Sequence, residues 1–293
     1  MPLRPSLPGM GIAFDTSTPE GWHAALAALQ WQVEMGVAEV IGEEPVNAFD
    51  LPERAPWQAA VAMAAGPVPQ RAAKAEAAAY VPQISAAERA AQVADAAVAE
   101  AVARAGAAGS LEALREAIAG YEQCEVKKGA RNLVFADGRP GARVLVLGEA
   151  PGRDEDLEGR PFVGAAGQLL DRMFAAIGLS RDAADAGQAI YITNVMPWRP
   201  PGNRDPLPEE IAMMRPFVER HIELAAPEVI VLMGNTPCSA LLGAKGILRL
   251  RGRWTQALGR PVMPMVHPAY LLRNPAAKRE AWADLLEIRA RLG

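Results

Sequence analysis

Residues 144–167 read VLVLGEAPGRDEDLEGRPFVGAAG, an apolar run with β-branched residues followed by a stretch dense in Gly, Pro and acid. A short apolar run closed by turn residues has the pattern of a buried strand. Three more runs of this kind follow at Ile190–Thr193, Val229–Met233 and Val262–Val266. The segments Gly167–Ile177 and Glu209–Leu224 between them carry apolar residues at helical spacing. Strand alternating with helix predicts an α/β fold, a three-layer sandwich whose central, largely parallel four-stranded sheet is covered by helices on both faces. Ligands of such sheets bind beyond the carboxyl ends of the strands. Those ends carry GEAPG after the first strand, Asn194 and VMPWRPPGNR after the second, Gly234-Asn235 after the third and His267-Pro268 after the fourth.

The chain has 293 residues, 51% apolar and 22% charged, enough for one sizeable core or two smaller ones. The sequence holds no run of about 18 uncharged apolar residues and no secretory pattern near its start, so no membrane role and a cytoplasmic location are expected. Cys124 and Cys238 are the only cysteines and are far apart in sequence, which argues against a disulfide framework. The net charge of −4 is unevenly spread: residues 1–120 carry 7 Lys and Arg against 14 Asp and Glu, and residues 121–293 carry 23 against 20. Phosphate binding needs local positive potential, so any nucleic-acid partner belongs to the second part.

Three regions are expected. Residues 1–51 form an N-terminal extension in which Trp22, Leu26, Leu29 and Val33 place an apolar stripe on a helix over 19–35, suited to docking a protein partner. Residues 52–108 are rich in Ala and Pro and poor in large apolar side chains, the composition of a mobile linker, with transient helix near 86–105. Ser110 stands as a helix cap before LEALREAIAGYEQC and opens the compact domain, 109–293.

Within that domain Gly148 to Gly167 reads as a long irregular loop of the kind that is usually functional. Five acids crowd it, Glu149, Asp154, Glu155, Asp156 and Glu158, so most of them face solvent. Taken in order, GEAPGRDEDLEGRPFVGAAGQLLD, YITNVMPWRPPGNR, VLMGN and HPAYLLRNP resemble the family 4 branch of the uracil-DNA glycosylase superfamily. The resemblance runs from about Gly120 to the C-terminus and leaves roughly the first hundred residues uncovered.

It implies a repair enzyme that acts as a monomer on uracil-containing DNA and hydrolyses the N-glycosidic bond to leave an abasic site. Gly148 and Ala150 would line the uracil pocket, Phe162 would stack on the base, and Asn194 would read its edge, since a side-chain amide both donates and accepts. His267 matches the family's histidine that stabilises the departing uracil anion. Pre-placed donors suit that anion, and a carboxylate suits the sugar cation and the attacking water. Two carboxylates are candidates for the second role: Glu149, directly after the strand, and Glu155, which matches a family position implicated in the site. For DNA positioning, Arg249, Arg251 and Arg253 in LRLRGRW would face one side of an extended segment, joined by Arg273, Lys278 and Arg279. Leu271 and Leu272 are candidates for the wedge that replaces the flipped base, with core packing the rival role for at least one.

The sequence departs from the family at the 4Fe–4S cluster, which needs a full thiolate set or a recognised substitute. Cys124 matches the first ligand, but Lys127, Trp198 and Met214 stand at the other three positions. No cluster and no other metal is therefore expected, with Trp198 and Met214 filling the space as apolar packing. Two other readings stay open: a non-catalytic damaged-DNA-binding module on the same fold, and an α/β hydrolase using the Gly-rich loop as a phosphate cradle. The second lacks a Gly-Lys-Ser/Thr ending.

Overall fold

The computed structural model describes Thr18, residues 21–27 and residues 86–293. The chain divides into two units, Met1–Tyr80 and Val81–Gly293. In the first, residues 21–27 form a helix with Trp22 and Leu26, one turn apart, both exposed. The rest of the expected helix over 19–35 and the part of the expected linker from 52 to 85 fall outside the described residues. Ahead of the helix, the Thr18 hydroxyl accepts from the Gly21 N–H.

The second unit is built on six strands: β1 (Ala136–Gly138), β2 (Val144–Gly148), β3 (Ile190–Asn194), β4 (Val229–Met233), β5 (Thr255–Ala257) and β6 (Arg260–Met265). Their order is β1-β3-β2-β4-β6-β5. The four expected strands form the parallel centre, in which every residue of β2, β3 and β4 is buried, as strands covered on both faces must be. The sequence reading missed two antiparallel edge strands, β1 beside β3 and β5 beside β6.

The main helices are α1 (Ala86–Ala107), α2 (Leu111–Ala119), α3 (Arg153–Glu158), α4 (Ala165–Ala175), α5 (Pro208–Ala225), α6 (Asn235–Leu242), α7 (Pro268–Arg273) and α8 (Lys278–Leu292). Successive side chains of a strand point to opposite faces, and β2 divides accordingly. Val144 and Val146 pack with Leu170 and Phe174 of α4 and Leu285 and Ile288 of α8. Leu145 and Leu147 pack with Val218 and Ile222 of α5 and Ala240 of α6. Each such fully buried side chain contributes about 1.5–3 kcal/mol.

A third apolar cluster lies on the outer side of α5 and revises the expected boundary at residue 109. There Ala101 and Ala105 of α1 and Ala108 just after it sit against a cluster that includes Ile118, Tyr121 and Phe217. The Tyr121 hydroxyl donates to the Ala97 carbonyl at 2.9 Å, and the Arg220 guanidinium donates to the Ala108 carbonyl at 2.9 and 2.8 Å. Residues 86–108 thus form a fixed layer where a mobile linker was expected. Alanine has little surface to bury, but it lets helices approach closely. Relative to a chain lacking only residues 1–80, deleting residues 1–108 should lower the melting temperature by on the order of 10 °C, since the buried methyl groups of Ala97, Ala101, Ala105 and Ala108 at ~0.8 kcal/mol each and a stranded Tyr121 hydroxyl at ~1 kcal/mol act on a domain that shifts ~2–4 °C per kcal/mol. Equal melting temperatures for the two truncations would show that α1 is dispensable.

His221 of α5 is buried in the core. Its Nε2 lies 2.9 Å from the Tyr191 hydroxyl and its ring stacks on Phe135 at 4.5 Å. Burial pushes its pKa down to about 3, so the ring is neutral and structural.

Candidate active site

The stretch after β2 is more ordered than an irregular loop, because residues 153–158 make the short helix α3. Glu155 ties that helix to both sides of the loop. One carboxylate oxygen accepts from the Gly152 N–H at 3.0 Å, and the other accepts from Val163 and Gly164 at 3.0 and 2.9 Å. Asp156 turns inward and accepts from the Arg131 and Asn132 backbone N–H groups at 2.8 and 3.1 Å. The loop so held delivers Phe162 with a φ of 54°, a left-handed conformation rare for a bulky residue.

The Phe162 ring lies across the end of β2. A Cβ on Gly148 would stand 2.5 Å from that ring and 2.3 Å from the Asn194 side-chain oxygen, so only glycine fits. Gly148 and Asn194 are direct partners in the parallel register of β2 and β3. Asn194 is buried, and its Oδ1 is the one buried side-chain polar atom among the described residues without a hydrogen-bond partner. A buried acceptor left open costs about 1–3 kcal/mol, which makes the atom a natural receiver for a ligand donor.

His267 caps α7 from the end of the β6 segment. Pro268 fixes the first helical position, and His267 itself is extended at φ −65° and ψ 140°. The Ala269 backbone N–H donates to Nδ1 at 3.2 Å, which leaves the ring proton on Nε2. Burial, aided by the Arg273 charge, pushes its pKa down to about 4. His267 is therefore a neutral donor at physiological pH. Its ring stacks against Phe162 with centroids 5.4 Å apart and 27° between planes. Glu149 follows β2 directly and receives the Thr236 hydroxyl on Oε2 at 2.6 Å. Burial raises its pKa, while the Thr236 bond opposes the shift.

Gly148 backs the cleft from beneath the Phe162 ring, while Glu149, Ala150, Glu155, Phe162, Asn194 and His267 line one cleft of about 480 Å³, with Arg273 on its wall. Sequence reasoning missed Thr236, and also Asn203, Asp205 and Tyr270, which line the same cleft. Their signal is tertiary: Thr236 and Glu149 are 87 residues apart in sequence.

The expected DNA-binding set divides. Residues 247–250 form a helical turn, and Gly252 has a φ of 70°, so the three arginines do not alternate along an extended segment. Arg249 and Arg253 are exposed and without ion pairs among the described residues. Arg251 is instead turned inward, donating to the buried Asp284 carboxylate and to the Glu280 carbonyl, and is corrected to a structural cation. Leu271 is likewise corrected: it is 1% exposed and packs in the core, whereas Leu272 is 43% exposed. Arg273 is exposed at the cleft.

The four positions that correspond to cluster ligands do not fit a 4Fe–4S group. Cys124, Trp198 and Met214 are almost fully buried in the apolar cluster outside α5. The Lys127 ammonium donates to the Ala119 carbonyl at 2.6 Å and to Glu122, and lies 5.8 Å from the centre of the Trp198 ring. One buried thiol among an indole, a thioether and an ammonium is not a ligand set for iron.

A parallel sheet whose strand ends gather an aromatic face, an amide, a neutral histidine and a half-buried carboxylate carries groups suited to holding a planar heterocycle by its face and its edge. The profile of the uracil DNA glycosylase superfamily matches residues 135–286. The chain is 38% identical over 189 residues to the type-4 uracil-DNA glycosylase of Archaeoglobus fulgidus, covering 61% of this chain and 91% of that protein. It is 37% identical over 189 residues to the type-4 enzyme of Sulfurisphaera tokodaii, covering 61% and 83%. With the type-4 enzyme of Thermotoga maritima it shares 38% over 167 residues, covering 56% and 84%. The chain belongs to the uracil-DNA glycosylase superfamily, and within it is similar to the type-4 enzymes.

Proposed function

We propose that the protein is a DNA repair glycosylase that hydrolyses the N-glycosidic bond of uracil in DNA and leaves an abasic site. The observation that carries this reading is the open Asn194 Oδ1 beside the Phe162 ring and the His267 donor, at the ends of strands of one sheet. A glycosylase takes its nucleotide out of the stack and holds the base by its face and its edge. Phe162 supplies the face. The Asn194 amide donates to O4 and accepts from N3–H.

Bond cleavage gives the sugar a cationic character and leaves negative charge on the base. The neutral His267 Nε2–H meets that anion, a pre-placed dipole of the kind that stabilises developing charge. Glu149, with Oε2 held by Thr236, keeps Oε1 for the attacking water or the sugar cation, and its raised pKa makes it a better proton acceptor. Glu155, whose oxygens already accept three backbone N–H groups, acts by holding the loop. Arg273, Arg249 and Arg253 contact phosphates, and Leu272 fills the gap left by the flipped nucleotide. A monomer is the proposed working unit. Among the described residues no helix is long and apolar enough to cross a membrane, and the cytoplasm is the proposed location.

A labelled single-uracil oligonucleotide tests the reading. Alkali-labile abasic sites are the expected product. Binding without cleavage would favour the non-catalytic damage-binding module, and neither binding nor cleavage would remove both readings.

The same proposal holds that the protein works without a 4Fe–4S cluster, supported by the misfit of Lys127, Trp198 and Met214. The purified protein should contain no iron by elemental analysis and show no broad visible absorbance. Cys124→Ser should retain turnover. Stoichiometric iron lost in that variant would overturn it.

A further inference from the structure

We propose that Arg181 is a positioning residue that holds Phe162 in its base-facing conformation. The inference rests on the glycosylase reading for its effect on activity, but the contact itself is independent of that reading. The Arg181 side chain is only 7% exposed, and each of its nitrogens is engaged. Nη2 donates to the Phe162 carbonyl at 2.9 Å and Nη1 to the Pro161 carbonyl at 3.0 Å. Nη1 also donates to Asp137 of β1 at 2.8 Å, and Nε to Asp171 of α4 at 2.8 Å.

This pattern exceeds what charge neutralisation requires. A cation placed only to balance Asp137 and Asp171 has no need of two consecutive carbonyls. The carbonyls it does bind flank the one residue of the loop in a left-handed conformation without being glycine, Phe162 at φ 54°. Such conformations persist where surrounding contacts overdetermine them. From the other side Gly167 presses against the same carbonyl, since a Cβ there would stand 1.8 Å from the Phe162 oxygen. The carbonyl is therefore gripped between Gly167 and a guanidinium whose planar fork reaches both peptide oxygens while its carboxylate partners fix its orientation. The ring, carried on the Cα between the two bound carbonyls, is aimed at the cleft as a result. The edge strand β1 gains a role too, because it carries Asp137.

Arg181→Gln, Arg181→Lys, Phe162→Ala and the double variant Arg181→Gln with Phe162→Ala form the test. Lysine keeps the charge but not the fork, so Arg181→Lys should still fold, with a melting temperature lowered by only a few degrees, and should lose about tenfold to a hundredfold in kcat/KM on uracil DNA, the scale on which small misplacements act. Arg181→Gln should lose as much. In the Phe162→Ala background the same change should cost less than twofold, because the group it positions is gone. A merely structural arginine would instead cost the same factor in both backgrounds. Aromatic NMR gives a readout that needs no turnover. The Phe162 ring signals, identified by their loss in Phe162→Ala, should move in Arg181→Lys even if the wild type proves inert on uracil. Unmoved ring signals, or equal losses with and without Phe162, would overturn the proposal.

Discussion

Replacing Asn194 by Asp is expected to abolish most uracil excision, by about tenfold to several hundredfold in single-turnover rate. The argument is one of hydrogen-bond inventory. Uracil presents an acceptor at O4 beside a donor at N3–H, and a neutral amide matches both, whereas an ionised carboxylate only accepts. O4 would then face a buried anion at a site where Asn194 is already almost closed to water. Mismatched buried groups cost about 1–3 kcal/mol, more with charge, and about 1.4 kcal/mol is a decade in rate. Cytosine has the reverse edge, a donor beside an acceptor, so a protonated Asp matches it and weak cytosine excision should emerge at low pH. Near wild-type uracil activity in Asn194→Asp would mean that this amide does not read the base.

His267→Ala should slow cleavage by about 10²–10³, the usual loss for a donor aimed at developing charge, without changing which base is chosen. Its pH dependence follows from the depressed pKa. Above about pH 4 the ring is neutral and its proton sits on Nε2, so the donor is in place throughout the physiological range. Any titration of activity in the physiological range therefore belongs to another group. Glu149, raised above the ordinary carboxylate range, is that group if activity climbs as it ionises. Single-turnover rates of wild type and His267→Ala against pH check both points: the acid limb should survive the substitution, scaled down. An acid limb that vanishes with His267 would assign the titration to the imidazole.

The parallel centre was legible because β2, β3, β4 and β6 are apolar runs whose identity is set by burial on both faces. The strands β1 and β5 were not, because each is three residues long and owes its conformation to a neighbour in space. Helix α1 was misjudged for a related reason. Alanine carries little weight in a composition count, yet small side chains are what let α1 lie close on α5. In the site, Gly148, Asn194 and His267 could be read at strand ends. Thr236 and Arg181 could not, since their partners come from remote parts of the chain. Leu271 and Leu272 show the limit of adjacency: on a short helix, neighbouring leucines face different surroundings, and only packing tells them apart.

Gly148, Phe162 and Gly167 form one interlocked contact, and this bears on how such a chain can drift. A side chain at Gly148 meets the Phe162 ring, and one at Gly167 meets the Phe162 carbonyl. A side chain added at either glycine therefore displaces Phe162, and neither glycine is free to change while Phe162 keeps its place. The outward residues of the same loop, Arg153, Asp154, Leu157 and Glu158, are exposed and carry no such linkage. The loop therefore combines a frozen inner face with a freely diverging outer one, and substitutions that separate one descendant from another should collect on the second.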